Sequence, residues 1–208
     1  MLTLYWATGT CALASHIALE QSGAPYEAKR LDFSKNEQRS PEYLKVNPKG
    51  RVPALATDRG ILSETPAILF YIAQSFPQSE LAPLDDPYLL AQINAFNSYL
   101  CSTVHVAHAH KHRGHRWTDD AAAQAAMRER VPQNMTECFT LIENEMFKGP
   151  WVLGDRYSIS DPYLFTVSRW LASDGVDIAL FPKVAAHATR MAELQAVAKV
   201  LSVHNTPA

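Results

Sequence analysis

The sequence predicts an α/β domain followed by an all-α, helical-bundle domain, and three observations carry that prediction. Strand and helix periods alternate over residues 1–78, three prolines (Pro77, Pro83 and Pro87) punctuate the next stretch, and from 88 to 208 the spacing is helical throughout. Residues 79–87 are read as the linker. At roughly 150 residues per domain, 208 residues fit one large domain or two small ones. With 47% hydrophobic and 19% charged residues the composition is that of a folded globular chain, which excludes disorder and a disulfide-stapled mini-fold.

In order, Leu2, Leu4 and Trp6 alternate as a strand, and Leu13 and Ile17 follow at helical spacing until Ser22-Gly23 stops them. Tyr26 to Phe33 reads as a second strand, Pro41 to Val46 as a short helix, and Val52 to Thr57 and Ile61 to Ser63 as strands joined by the Asp58-Arg59-Gly60 turn. A helix over Thr65 to Ser75 closes the β-α-β-α-β-β-α order, with the first two strands parallel and the last two an antiparallel hairpin. Helices then follow over Tyr88 to about His112, Asp119 to about Phe147 and Asp161 to about Ser173, with shorter ones after Pro182 and around Glu193 to Val203. Ser158 and Asp161 have the spacing of a reciprocal cap, each side chain accepting from the other's N–H, which nucleates a buried helix without any role in chemistry.

The 19 basic and 21 acidic residues leave a net charge of −2 with no long run of either sign, so nothing points to nucleic acid or an anionic membrane. The longest apolar run, Ala67 to Ala73, is far short of the roughly 18 residues of a membrane span, and the amino terminus begins as a strand rather than a targeting segment. The expectation is a cytoplasmic protein whose partners are small molecules or another protein. Three widely spaced cysteines argue against a disulfide framework and leave room for a reactive thiol.

Cys11 opens the first helix after a loop of small residues, where unpaired N–H groups and the helix dipole favour a thiolate; packing as a small hydrophobe is the alternative. Cys101 and Cys138 fall mid-helix among apolar neighbours and read as inert. Pro53 at a strand start leaves an edge; were Val52-Pro53 cis, the Val52 backbone would turn outward and could pair with a bound peptide, although X-Pro bonds are mostly trans. Thr65 and Pro66 read as N-cap and first helical residue, a terminus suited to carboxylate, and Glu64 beside it suits an ammonium, so the two fit an α-amino acid head group. His105, His108, His112 and His115 recur at spacings of three and four, with His110 off their face. Zinc ligation is opposed by the neighbouring Lys111, Arg113 and Arg116, so no metal is expected and a polar, pH-sensitive cleft wall is the favoured reading.

Taken together, Leu4-Tyr5-Trp6 with Cys11, Ala14-Ser15-His16-Ile17, Asn47 through Leu55, the Ser63-Glu64 pair and Gly154 through Asp161 resemble the cytosolic glutathione transferases, most closely the bacterial beta class, over nearly the whole length. The resemblance implies a thioredoxin-like first domain, a homodimer, and glutathione as co-substrate with no other cofactor. It further implies a cis Pro53 with Val52 pairing to the cysteinyl part of glutathione, Glu64 and Thr65 at the γ-glutamyl end, and Lys35 near the glycyl carboxylate. Cys11 and His105 would then flank the glutathione sulfur as the catalytic pair. Arg51 stands where beta-class chains often carry a neutral side chain and is counted as a glutathione contact; Ser98, with Asn97 adjacent, stands where asparagine is expected. Tyr5, Thr8 and Thr10 remain alternative donors to the thiolate. The implied activity is conjugation of glutathione to a small hydrophobic electrophile in a pocket built from Phe33, His108, His112 and Trp117. Thiol transfer or peroxide reduction through Cys11 is one alternative, and a non-catalytic binding module of the same fold is another.

Overall fold

A computed structural model describes residues 1–204. Strands β1 (Leu2–Trp6), β2 (Tyr26–Arg30), β3 (Ala54–Thr57) and β4 (Gly60–Ser63) form one sheet in the order β2-β1-β3-β4. Strand β2 runs parallel to β1 through the crossover helix α1 (Ala12–Ser22), whereas β3 is antiparallel to both β1 and β4. Helices α2 (Pro41–Val46) and α3 (Thr65–Ser75) complete a thioredoxin-like unit. Period-two alternation in β1 buries Leu4 and Trp6 on one face. Helix α1 is buried on nearly every side, because it lies between the sheet, α3 and the helical half of the chain.

Two strands are shorter than the sequence predicts. Strand β2 stops at Arg30 rather than Phe33, because Asp32 accepts the Ser34 N–H at 2.9 Å and starts a 3-10 turn over Phe33–Lys35. Strand β3 begins at Ala54, so Arg51, Val52 and Pro53 form a loop outside the ladders that pair β3 with β1 and β4.

The second half holds α4 (Pro87–Tyr99), α5 (His105–Arg113), α6 (Ala121–Leu141), α7 (Ser160–Ser168), α8 (Pro182–Glu193) and α9 (Gln195–His204). A π-helical turn over Leu100–Val104 joins α4 to α5, so the long helix predicted there is interrupted one turn before His105. Leu13 and Ile17 of α1 pack with Phe165, Met191, Val197 and Val200 of the helical half. Fully buried side chains of these types contribute roughly 1.5–3 kcal/mol each, so the halves are held as one body and the cleft between them has fixed walls.

The predicted reciprocal cap forms in part. Asp161 Oδ2 accepts the Ser158 N–H at 2.7 Å, but the Ser158 hydroxyl receives Ser160 N–H at 3.3 Å rather than that of Asp161. Asp161 Oδ1 also takes Val152 N–H at 2.8 Å and faces His187 Nε2 at 3.1 Å, a larger network than a cap requires.

Candidate functional site

A cleft of about 690 Å³ lies between the sheet unit and α5, within the roughly 300–1,000 Å³ usual for small-ligand sites. Its first wall comes from three chain segments at strand ends. The loop after β1 supplies Cys11, the loop before β3 supplies Arg51, Val52 and Pro53, and the turn after β4 supplies Glu64 and Thr65. Its second wall is α5 and the turn beyond it, with His105, His108 and Trp117. Phe33 closes the rim.

Val52-Pro53 is cis. The loop is pinned by Tyr43 Oη and Asn47 Nδ2, which both donate to the Arg51 carbonyl at 2.7 Å. Gly50 at φ 60° lets this loop meet its neighbour: a Cβ there would lie 2.9 Å from Gln38 O and from Arg39 Nη1. The close approach at Gly50 sets the loop bearing Arg51 against the turn bearing Arg39, and both arginines line the cleft.

Cys11 departs from the expected thiolate. It lies at the front of α1, yet burial pushes its thiol pKa up, outweighing the opposing pull of a Thr65 hydrogen bond and of Arg113. Its Sγ–H donates to the Val52 carbonyl at 3.7 Å, a bond that a thiolate could not make. His105 is driven the opposite way, to about 3, by burial first and then by Arg113, His108, Arg116 and Arg51, so it is a neutral imidazole at pH 7. Of the alternative hydroxyls, Thr10 lines the cleft but donates to Ala7 O at 2.7 Å, whereas Tyr5 packs on Tyr43 away from it.

Glu64, not Thr65, occupies the cap position of α3, with a left-handed φ of 72°, and Thr65 is the first helical residue. The Glu64 carboxylate pairs with Lys49, which also donates to Ser63 Oγ at 2.8 Å. Lys35 and His112 fall outside the lining. The Lys35 ammonium pairs with Asp32 at 3.0 Å instead of reaching the cleft, because the 3-10 turn redirects it, and His112 is exposed on another face of α5. His115 does line the cleft, and His110 packs edge-on against Trp117 at 4.4 Å.

Sequence reasoning missed Trp170 and Asp174, which follow α7. Trp170 stacks on His108 at 4.4 Å and tilts against His105 at 4.9 Å, while Asp174 Oδ2 meets His108 Nδ1 at 2.7 Å. They lie 62 or more positions from their partners, and no local pattern announces such pairs. Arg113 and Arg116 enter the sequence reading only as residues that oppose a metal, yet both line the cleft, from the end of α5 and the turn after it.

Comparison with known proteins bears on the same residues. The family model described as glutathione S-transferase, N-terminal domain, matches residues 1–74, and glutathione S-transferase, C-terminal domain, matches 68–195. A curated relative, glutathione S-transferase GstA of Escherichia coli O157:H7, is 31% identical over 97% of this chain and 98% of its own. Among solved structures, a glutathione transferase homologue from Sulfitobacter with bound glutathione superposes with a TM-score of 0.95 at 45% identity, covering 98% of each chain. The bacterial beta-class glutathione S-transferase of Sphingomonas chungbukensis gives 0.84 at 30% identity, again over 98% of each. With both domains matched in order across the cleft just described, the chain belongs to the glutathione S-transferase family.

Proposed function

We propose that the cleft binds glutathione against its first wall, activates the thiol, and directs the sulfur at a small electrophile held against α5. The observation that carries this is the convergence in one cleft of a Val52 backbone left outside the sheet ladders, the front of α3 and the Cys11–His105 pair. The Val52 backbone pairs with the cysteinyl unit, and the Thr65 end of α3 takes the γ-glutamyl carboxylate. Glu64 takes the ammonium, in competition with Lys49. The glycyl carboxylate goes to Arg39 or Arg51, which line the cleft, in preference to Lys35. Residues 1–78 thereby form the glutathione unit and 88–208 the electrophile unit, joined by 79–87. A homodimer and a cytoplasmic location belong to the same proposal; among the described residues no helix is long and apolar enough to cross a membrane.

A free thiol of pKa near 8.5 is only a few per cent ionised at neutral pH, so the protein contributes most by stabilising the anion. A second thiolate beside it would repel it. A protonated Cys11 can instead turn its S–H from the Val52 carbonyl to the glutathione sulfur, and neutral His105 supplies an N–H donor. The thiol proton leaves to solvent, since His105 is too weak a base to retain it. The sulfur lone pair then forms the new C–S bond, and the leaving group departs with the electron pair of the bond that breaks. The raised Cys11 thiol also disfavours thiol transfer through this residue.

Isothermal titration with reduced glutathione should show binding, and its absence at millimolar ligand would leave a non-catalytic module as the better description. In Cys11→Ala, kcat/KM for conjugation should fall by no more than about tenfold, the worth of one ordinary hydrogen bond. Collapse of conjugation together with disulfide exchange would move the chemistry onto Cys11 itself.

A further inference from the structure

The same cleft carries more positive charge than glutathione uses. Four arginines line it, Arg39 and Arg51 from the first wall and Arg113 and Arg116 from the second, against one lining carboxylate, Glu64, which is already paired with Lys49. Among the described residues none of the four guanidiniums has an ion-pair partner, although the chain as a whole is slightly acidic. Arg116 feels the cluster directly, since burial and then Arg113, Arg51 and Arg39 hold its pKa down. Arg39, Arg51 and Arg116 are exposed and Arg113 is half-buried, so water screens part of the repulsion, and an incoming anion relieves the rest.

Glutathione as its thiolate carries a net charge of about −2, from two carboxylates, a thiolate and an ammonium. Four guanidiniums against one carboxylate therefore leave positive charge over after it binds. The surplus has a location as well as a size. Arg51 sits in the Val52 loop and Arg39 lies against Gly50 of the same loop. Arg113 ends α5 and Arg116 lies in the turn after it beside Trp117, on the second wall, facing the first wall closely enough for Arg113 to act on Cys11 and Arg116 to feel Arg51 and Arg39. We propose that the electrophile is an anionic aromatic or otherwise planar compound, bearing a carboxylate or sulfonate that Arg113 and Arg116 bind while its apolar body lies between Phe33, Trp117 and Trp170. Guanidinium forks match such oxyanions in a bidentate manner, and the aromatic rim accepts a planar body. This rests on the glutathione reading above and narrows its second substrate.

The test compares 4-chloro-3,5-dinitrobenzoate with its methyl ester, using the full-length protein and reduced glutathione. In both, sulfur displaces chloride, the C–S bond forms as C–Cl breaks, and chloride leaves with the bonding pair. With each kcat/KM divided by the uncatalysed rate constant, the acid should be preferred by about tenfold or more, and the preference should shrink as salt rises from 0.02 to 0.5 M. In the Arg113→Gln/Arg116→Gln double variant the acid-to-ester ratio should fall toward one, and Arg113→Lys/Arg116→Lys should restore part of it. A wild-type ratio near or below one, or a ratio that the glutamine variant leaves unchanged, overturns the inference. Binding of the two pre-formed conjugates, S-aryl glutathiones with and without the free carboxylate, gives a readout independent of turnover and should follow the same order. Should glutathione itself fail to bind in the titration, the parent reading falls; should it bind while acid and ester conjugates bind alike, only the anionic electrophile falls.

Discussion

Two aspartate–histidine pairs occur among the described residues of the helical half, and their chemistry is the same while their surroundings differ. Asp161–His187 is sealed, with both side chains 0% exposed and the carboxylate shared among Val152 N–H, Ser158 N–H and His187 Nε2. Asp174–His108 has an equally buried carboxylate, but its histidine is 16% exposed and faces the cleft, stacked on Trp170. A carboxylate–imidazole pair in a closed site serves to satisfy buried backbone donors, and removing its carboxylate orphans all of them. The same pair with its imidazole at a cavity wall fixes a ring that a ligand can touch. Location relative to the cleft, not residue type, separates a cap from a site.

The largest effect is expected from Asp161→Ala. It strands two backbone N–H groups and His187, whose Nδ1 already lacks a partner, so the loss should reach about 3–5 kcal/mol rather than the roughly 1 kcal/mol of an ordinary cap. Urea unfolding should show it as a lower midpoint, with turnover per folded molecule unchanged. A loss below about 1 kcal/mol would reduce the network to a simple cap.

A histidine pair with no carboxylate in hydrogen-bond contact sharpens the comparison next. His16 of α1 and His204 of α9 meet at 2.9 Å, with Trp6 stacked on His204 at 4.0 Å, and burial drives them to about 4 and about 3. Lys199 beside His16 and Arg169 and Arg30 near His204 push the same way, while Glu20 alone opposes them. Because the folded state takes up these protons later than the unfolded chain does, stability is complete above the ordinary value of 6.5 and is lost as pH falls from there toward about 4. On going from pH 7 to pH 5 the cost should be on the order of 1–2 kcal/mol per histidine. Thermal melts across that interval should be less pH-dependent in His204→Phe than in the parent; an identical slope would mean that other groups carry the acid sensitivity.

These pairs also mark how far the sequence could be read. Short-range rules located what short-range forces build: the strand alternation of Leu4 and Trp6, the helix over Thr65–Ser75, and the Ser158–Asp161 contact. Cys11 was located at a helix front, but its ionisation follows from burial, which depends on packing that no local rule contains. The choice of Lys35 failed to reach the cleft because Asp32 ended β2 early and turned the chain, a cap visible only as one option among several. Asp174 and His187 lie 66 and 26 positions from their partners, and only the folded chain brings them together.

The smallest expected effect falls on the cleft-facing pair. Asp174→Asn keeps the shape and an acceptor near His108 Nδ1 but removes the charge shared with Lys111, whose Nζ lies 3.7 Å from the other oxygen. An amide can present either its carbonyl or its NH2 to Nδ1, so the imidazole loses the acceptor-only partner that selects one tautomer, while the Trp170 stack still holds its plane. The kcat/KM for the electrophile should fall roughly tenfold, a fraction of what full misplacement of a reacting group costs, and KM for glutathione should hold because its contacts other than His105 lie on the opposite wall. Stability should change by about 1 kcal/mol, well below the loss at Asp161. If glutathione KM instead rose in step, or if the kinetics stayed flat while the fold weakened by several kcal/mol, Asp174–His108 would be a second structural anchor, and distance from the cleft would no longer distinguish the two pairs.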